Sequence, residues 1–463
     1  MIQRTVFLLP LILLFLLVPE PATGQEIAGR WYGEAEVDST QHYLFDIRYQ
    51  ERIYYGYFDL PGTGLFRIPF DSVSFAKNGE VYLEQKSLPL TYRGTWSAGK
   101  EEIRGIIYHQ QDTAKLSLSH TPTIARPQLP KGAIPYTEKE LSFVNPDGDT
   151  LLGSLSYPTD RDSLILVVLI SGSGPQDRNE EILGHQPFRV LSDYLSRRGI
   201  AVFRYDDRGY GDSGGRFRPA TSADYAEDTR GALKMLQGLS DFSFYSIGLA
   251  GHSEGGNIAP MVASSAPEVD FLIFLAAPGL SNYESYLSSL DLVLREYPET
   301  YDRDYPFFQG VYQSMASISD KEILRDTLEK QFTGITEVME EEELSLYGGV
   351  EAYIQSNVQY HCSDWYHYYL QFDITPFLQS LKIPILALNG DQDHSVVAAP
   401  NLAGFEQTLQ KARHPNYRTI LLPGVNHFFQ PDTDPSFDSV YFNEMTFSPL
   451  ALETIFQWIQ EIH

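Results

Sequence analysis

Cysteine is nearly absent: Cys362 stands alone in 463 residues. That excludes an intramolecular disulfide and leaves the apolar core to hold the chain together. No Cys/His spacing of the structural-zinc kind is present, so neither a metal nor a cofactor is expected. Basic residues are scarce as well. The chain has 34 Lys and Arg against 61 Asp and Glu, a formal net charge of −27, which disfavours phosphate backbones and anionic membrane surfaces. Nucleic acid is therefore not an expected partner. The acids are spread along the chain, with only Glu340 to Glu343 forming a run, and read as a solubilising surface. Long apolar runs are also missing. The run from Val6 to Val18 falls short of the roughly 20 residues a spanning helix needs. With Arg4 before it and Pro19, Pro21 and Ala22-Thr23-Gly24 after it, this run reads as a secretory signal over 1–24, cut near Gly24. The expectation is an exported chain, periplasmic or extracellular, with no stable membrane insertion after cleavage.

What is abundant falls into two styles. From Gly29-Arg30-Trp31-Tyr32-Gly33 to about His120, short stretches rich in Tyr, Phe, Ile and Val alternate with turn signals such as Leu60-Pro61-Gly62 and Asn78-Gly79. This pattern predicts a small antiparallel barrel or sandwich over 25–120. Residues 121–140, with Pro122, Pro127, Pro130 and Pro135, read as a linker. From 141 to 463 continuous apolar runs alternate with helical patterns, as in a mostly parallel sheet covered on both faces. Buried strands are expected at Leu164 to Ile170, Ala201 to Tyr205, Ile247 to Ala250, Phe271 to Leu275, Ile383 to Leu388 and Arg418 to Leu422. Between Ala277 and Ile383 lies a stretch far too long for a loop. At about 280–375 it predicts a helical cap at the carboxyl edge of the sheet, where ligands bind in such folds.

The pentapeptide Gly251-His252-Ser253-Glu254-Gly255 fits a nucleophile elbow, in which small neighbours permit a sharp strand-to-helix turn that lifts the hydroxyl clear. Gly211-Asp212-Ser213-Gly214-Gly215 matches the same pattern, but Ser213 follows a polar loop rather than a strand, and a loop role is expected for it. A serine hydroxyl is a weak nucleophile, so a base must take its proton and an acid must orient the base. His427, after the last strand, is the expected base, with His252 and His394 as competitors. Asp393 is preferred to Asp391 as the acid because it lies further past the strand end. The tetrahedral intermediate needs two fixed N–H donors. Glu254 supplies one through its backbone, and Ser173, preferred to Gly172, supplies the other from the loop Ser171-Gly172-Ser173-Gly174-Pro175.

These motifs, together with Gln176-Asp177-Arg178-Asn179-Glu180 and Arg204-Tyr205-Asp206-Asp207-Arg208-Gly209-Tyr210, resemble those of bacterial α/β-hydrolase esterases and serine aminopeptidase-like hydrolases. The resemblance runs from about Leu141 to the C-terminus. It implies the α/β-hydrolase fold and carboxylesterase activity, with Ser253, Asp393 and His427 in the triad positions and Ser173 and Glu254 in the oxyanion positions. One departure is that wider relatives begin the oxyanion loop with His-Gly, where this chain has Ser171-Gly172. Asp206-Asp207-Arg208 looks like the family's structural loop beneath the site.

Three functions compete. An esterase for short or medium acyl chains would use the aromatic cap as its apolar pocket, and Trp365 and Tyr369, four residues apart, would share the face that lines it. A peptidase of aminopeptidase type would need carboxylates to read a free amine, and the cap offers Asp364, Asp373 and Glu351. A non-catalytic binding protein would have no need to keep the intact, ordered triad. The expected partner is a small ester or a short peptide.

Overall fold

The computed structural model describes residues 27–36, 40–50, 52–63, 65–86, 88–109, 112–160, 163–217, 220–432 and 437–463. The expected signal segment lies outside them. The chain divides into two compact units, with the boundary between Thr123 and Ile124.

The first unit is a run of nine strands: β1 (Gly29–Glu36), β2 (Thr40–Gln50), β3 (Ile53–Leu60), β4 (Leu65–Pro69), β5 (Ser72–Phe75), β6 (Glu80–Gln85), β7 (Leu90–Ser97), β8 (Glu102–His109) and β9 (Asp112–Ser119). They form one antiparallel sheet in the order β4-β3-β2-β1-β9-β8-β7-β6-β5. Alternation sets the faces: Val81 and Leu83 of β6 and Leu90 and Tyr92 of β7 point into a single core with Trp31, Phe45, Phe58 and Leu118. The edge strand β5 touches β3, and the Phe70 N–H donates to the Gly56 carbonyl at 2.9 Å. The sheet therefore curls on itself. At Lys77-Asn78-Gly79 the φ of +87° at Gly79 makes the tight turn into β6.

The second unit is built on eight strands: β10 (Thr137–Val144), β11 (Thr150–Tyr157), β12 (Ser163–Ile170), β13 (Ile200–Tyr205), β14 (Ser243–His252), β15 (Phe271–Leu275), β16 (Ile385–Gly390) and β17 (Tyr417–Leu422). Their order is β10-β11-β13-β12-β14-β15-β16-β17, antiparallel as far as β13 and parallel from there on. The apolar run of β12 divides by parity. Leu164, Leu166, Val168 and Ile170 enter one core, and Ile165, Val167 and Leu169 enter the core on the opposite face. Helices α1 (Pro187–Ser196), α2 (Ser222–Gln237) and α3 (Gly255–Ala263) follow β12, β13 and β14. From β12 the chain crosses to β13 on one side and returns to β14 on the other. The carboxyl ends of β12 and β14 therefore flank a topological switch point, where a crevice opens.

Between β15 and β16 come α4 (Asn282–Leu294), α5 (Pro298–Ser317), α6 (Lys321–Thr336), α7 (Glu341–Leu346), α8 (Val350–His361), α9 (Asp364–Gln371) and α10 (Thr375–Ser380). Helices α5 to α9 share a core of their own, with Met315, Leu328, Phe332, Ile354 and Tyr366. The inserted segment is pinched at its base by a Ser281/Asp373 bridge and by the Asn282 N–H donating to the Phe372 carbonyl at 3.0 Å. The unit ends with α11 (Ala398–Lys411), α12 (Phe437–Phe442) and α13 (Pro449–Glu461). No helix among the described residues is long and apolar enough to cross a membrane.

The 121–140 stretch differs from the expected linker. Arg126 is buried, and its guanidinium donates to the carbonyls of Leu183, Tyr441 and Asn443 at 3.0, 2.8 and 3.0 Å. Strand β10 already begins at Thr137. Proline punctuation marks a connection in the sequence, yet extended backbone packs well when a long donor side chain satisfies buried carbonyls.

Candidate active site

Ser253 sits between β14 and α3 at φ +50°, in the left-handed region. The positions two residues before and after it must be glycines. A Cβ on Gly251 would lie 2.1 Å from the Gly255 carbonyl oxygen, and one on Gly255 would lie 2.2 Å from that of Ile170. Strain of this kind in a non-glycine residue costs of the order of 1–3 kcal/mol and persists only where the surroundings enforce it. Ser213 is built differently. Its hydroxyl donates to the Asp206 carbonyl and accepts from the Leu152 N–H, both at 2.9 Å, so it braces the loop between β13 and α2.

Asp393 and His427 follow β16 and β17. One Asp393 oxygen accepts the N–H groups of Ser395 and Val396 at 2.8 Å each, and the other accepts from Nδ1 of His427 at 2.8 Å. Asp393 is buried, so the carboxylate is locked before it meets the ring. With the Nδ1 proton given to Asp393, Nε2 is the ring's acceptor. Asp391 is an exposed turn residue that accepts the Gly424 N–H at 2.7 Å. Of the competing histidines, His394 lies 3.7 Å from Glu296, and His252 is turned inward by the elbow and buried.

The loop after β12 lies against Ser253, since a Cβ on Gly172 would sit 3.2 Å from Ser253 Cβ. The Gly172 N–H is already used, donating to Glu180 at 2.7 Å. No acceptor among the described residues takes the N–H of Ser173 or of Glu254. The Glu254 side chain is buried and accepts from the Ser222 hydroxyl at 2.5 Å and from Trp365 Nε1 at 3.0 Å.

Burial raises the Glu254 carboxyl above its usual range, and the donors around it, Ser222, Ser173 and Trp365, only partly oppose the shift. A raised folded value means that the unfolded chain ionises first. Stability is thus lost as pH climbs from the unfolded value through the folded one. Glu254→Gln cannot ionise, so its Tm relative to the parent should improve as pH rises from the unfolded carboxyl's value through the folded one. A difference that stays constant with pH would contradict this.

Ser253, His427, Gly172, Ser173, Glu180 and His252 line one cavity of about 300 Å³. The cap adds Tyr286, Ser289 and Tyr369, and the acid loop adds Ser395 and Val396. The expected aromatic pair divides. Tyr369 lines the cavity, whereas Trp365 stacks on Tyr369 at 5.4 Å between centroids and turns its Nε1 to Glu254. Helical spacing places the two on one face, but the buried carboxylate decides which ring reaches the ligand space. Glu180, Tyr286 and Ser289 were not singled out as site residues. Glu180 at least stands inside the motif after β12, while Tyr286 and Ser289 carry no local signal.

A family profile described as "Serine aminopeptidase, S33" matches residues 186–330, from α1 through the elbow and into the cap. Esterase EstD of Thermotoga maritima is 29% identical over 171 residues, which cover 34% of this chain and 41% of EstD. The matched segment thus spans less than half of that relative's length. Among solved structures, a Pyrococcus furiosus esterase aligns at TM-score 0.43 with 15% identity over 73% of this chain and 97% of its own. Est1E from Butyrivibrio proteoclasticus with ferulic acid bound aligns at 0.40 with 16% identity over 69% and 98%. In its motifs and its matched segment, this chain is similar to the serine aminopeptidase-like and esterase hydrolases of the α/β-hydrolase kind.

Proposed function

We propose that this protein is a serine hydrolase, and within that class a carboxylesterase for short or medium acyl chains. The observation that carries the reading is Ser253, held at positive φ on an elbow and sharing a cavity with a histidine whose Nδ1 is fixed by Asp393 at 2.8 Å. Ser253 Oγ attacks the ester carbonyl while its proton passes to Nε2 of His427. The oxyanion is received by the N–H groups of Ser173 and Glu254. His427 then protonates the departing alcohol, and water, activated by the same ring, releases the acid from the acyl-enzyme.

The cavity favours an ester over a free amino terminus. The cap carboxylates are employed elsewhere: Asp364 pairs with Lys321, Asp373 accepts the Thr375 N–H at 2.8 Å, and Glu351 accepts from Gln355 at 3.1 Å. Glu180, which lines the cavity, is engaged by His252 and Gly172. A volume of about 300 Å³ lies at the small end of ligand pockets. The test is a panel of p-nitrophenyl esters set against aminoacyl amides, with ester turnover expected and amide preference overturning the reading. In the same panel Tyr369→Ala should move the optimum to longer acyl chains, and an unchanged profile in a folded variant would remove Tyr369 from the acyl pocket.

Export belongs to the same reading, supported by Arg4, the run Val6 to Val18 and the small residues before Gln25. N-terminal sequencing of protein recovered outside the cytoplasm should begin near Gln25. Retention of the full chain in the cytoplasm would overturn export.

A further inference from the structure

We propose that Glu180 and His252 form a buried carboxylate–imidazolium pair that positions the oxyanion loop and the His427 loop on either side of Ser253. The proposal rests on the serine-hydrolase reading above and extends it to two residues with a positioning role.

The argument starts from proton counting. His252 Nε2 lies 2.9 Å from the His427 carbonyl oxygen, which can only accept, so Nε2 carries a proton. Its Nδ1 lies 2.8 Å from Glu180 Oε1, and the same oxygen accepts the Gly172 N–H at 2.7 Å. A carboxylate that already accepts one N–H is best satisfied by a second, so Nδ1 is protonated too and the ring is a cation. Both partners are buried, with side chains 6% exposed, and a buried charge is tolerated only when paired and hydrogen-bonded. Burial alone would push the His252 ring toward neutrality. The charge of Glu180, its hydrogen bond, the His427 carbonyl and the charge of Asp393 outweigh it and leave the ring raised above the usual histidine value.

The groups that face His252 come from three loops. Glu180 stands in the loop after β12, and Asp393 in the loop after β16. His427 follows β17, its ring 4.9 Å from the His252 ring between centroids, and the rings of Phe428 and Phe429 close the remaining side at 6.2 and 6.4 Å. His252 itself precedes Ser253 at the end of β14. The pair therefore does two things. By taking the Gly172 N–H, Glu180 fixes the Ser171–Gly172 peptide, the unit next to the one that carries the Ser173 N–H, and so restricts the direction of that donor. By holding the His427 carbonyl, His252 sets the backbone from which the base projects.

Two measurements on the full chain test this. In ¹⁵N-histidine spectra, one ring absent from His252→Gln should show both nitrogens protonated at pH 7.5 in the parent. It should lose that signature in Glu180→Gln and keep it in Glu180→Asp, which retains the charge. In p-nitrophenyl acetate hydrolysis, Glu180→Gln and His252→Gln should each lose up to about a hundredfold in kcat, the scale of a misplaced reacting group. KM should move far less, and Glu180→Asp should recover part of the loss. The double variant should fall within about threefold of the worse single one, because partners in one unit are not lost twice. A His252 ring that is neutral in the parent, or losses that multiply in the double variant, would overturn the proposal. Absence of ester turnover in the parent would count against the esterase reading instead, while the histidine spectra would still decide the pair.

Discussion

Ser253→Ala should abolish labelling by a fluorophosphonate probe and lower ester hydrolysis by about 10⁶-fold, the loss typical when the nucleophile of a triad is removed. Ser213→Ala is the matched control, because it occupies a second copy of the same pentapeptide pattern. The Ser213 hydroxyl bridges the Asp206 carbonyl and the Leu152 N–H, so its loss should cost stability and leave labelling intact. Labelling that survives Ser253→Ala and vanishes in Ser213→Ala would reverse the assignment.

The second large effect separates two aspartates of one loop. Asp393→Asn keeps the shape of the side chain but replaces the oxygen that accepts from His427 Nδ1 by an amide NH2 that donates. His427 would then be held in the wrong tautomer, and kcat should fall by about four orders of magnitude. The amide oxygen still accepts from Ser395 and Val396, which is what turns the NH2 toward His427, and circular dichroism checks that the loop is kept. Asp391→Asn leaves a carbonyl to accept the Gly424 N–H, and the site is an exposed turn. Its kcat should stay within about threefold of the parent, as surface changes away from special features usually do. Equal losses in the two folded variants would mean that the loop as a whole, and not one carboxylate, orients the base.

The parts of this molecule that could be read from sequence are those whose physics is local. A continuous apolar run of strand length declares a strand buried on both faces, and Phe271 to Leu275 has the same limits in the structure. Ser253, Asp393 and His427 could be named because each follows a strand end and because glycine spacing marks a sharp turn. Strands β10 and β11 escaped notice since their polar-rich alternation resembles surface chain. The turn Asn145-Pro146-Asp147-Gly148 between them, with Gly148 at φ +88°, was the signal available. Trp365 and Glu180 show the limit from the other side. The role of each depends on a partner distant in the chain, Glu254 for one and His252 for the other, and no spacing rule encodes which neighbour a fold will bring.

The pinched base of the inserted helices bears on how the sheet assembles. Strands β15 and β16 are adjacent in the sheet, yet the whole insertion separates Leu275 from Ile385 in the chain. Closing so long a loop is slow, although each doubling of its length adds only about 0.6 kcal/mol of entropic cost. Helices α5 to α9 have a core of their own, and the Ser281/Asp373 bridge joins the ends of the insertion. Once those helices have packed, the effective loop between β15 and β16 shrinks to the residues outside the bridge, 276–280 and 374–384. The insertion then acts in the order of folding events as a spacer that has already been reeled in.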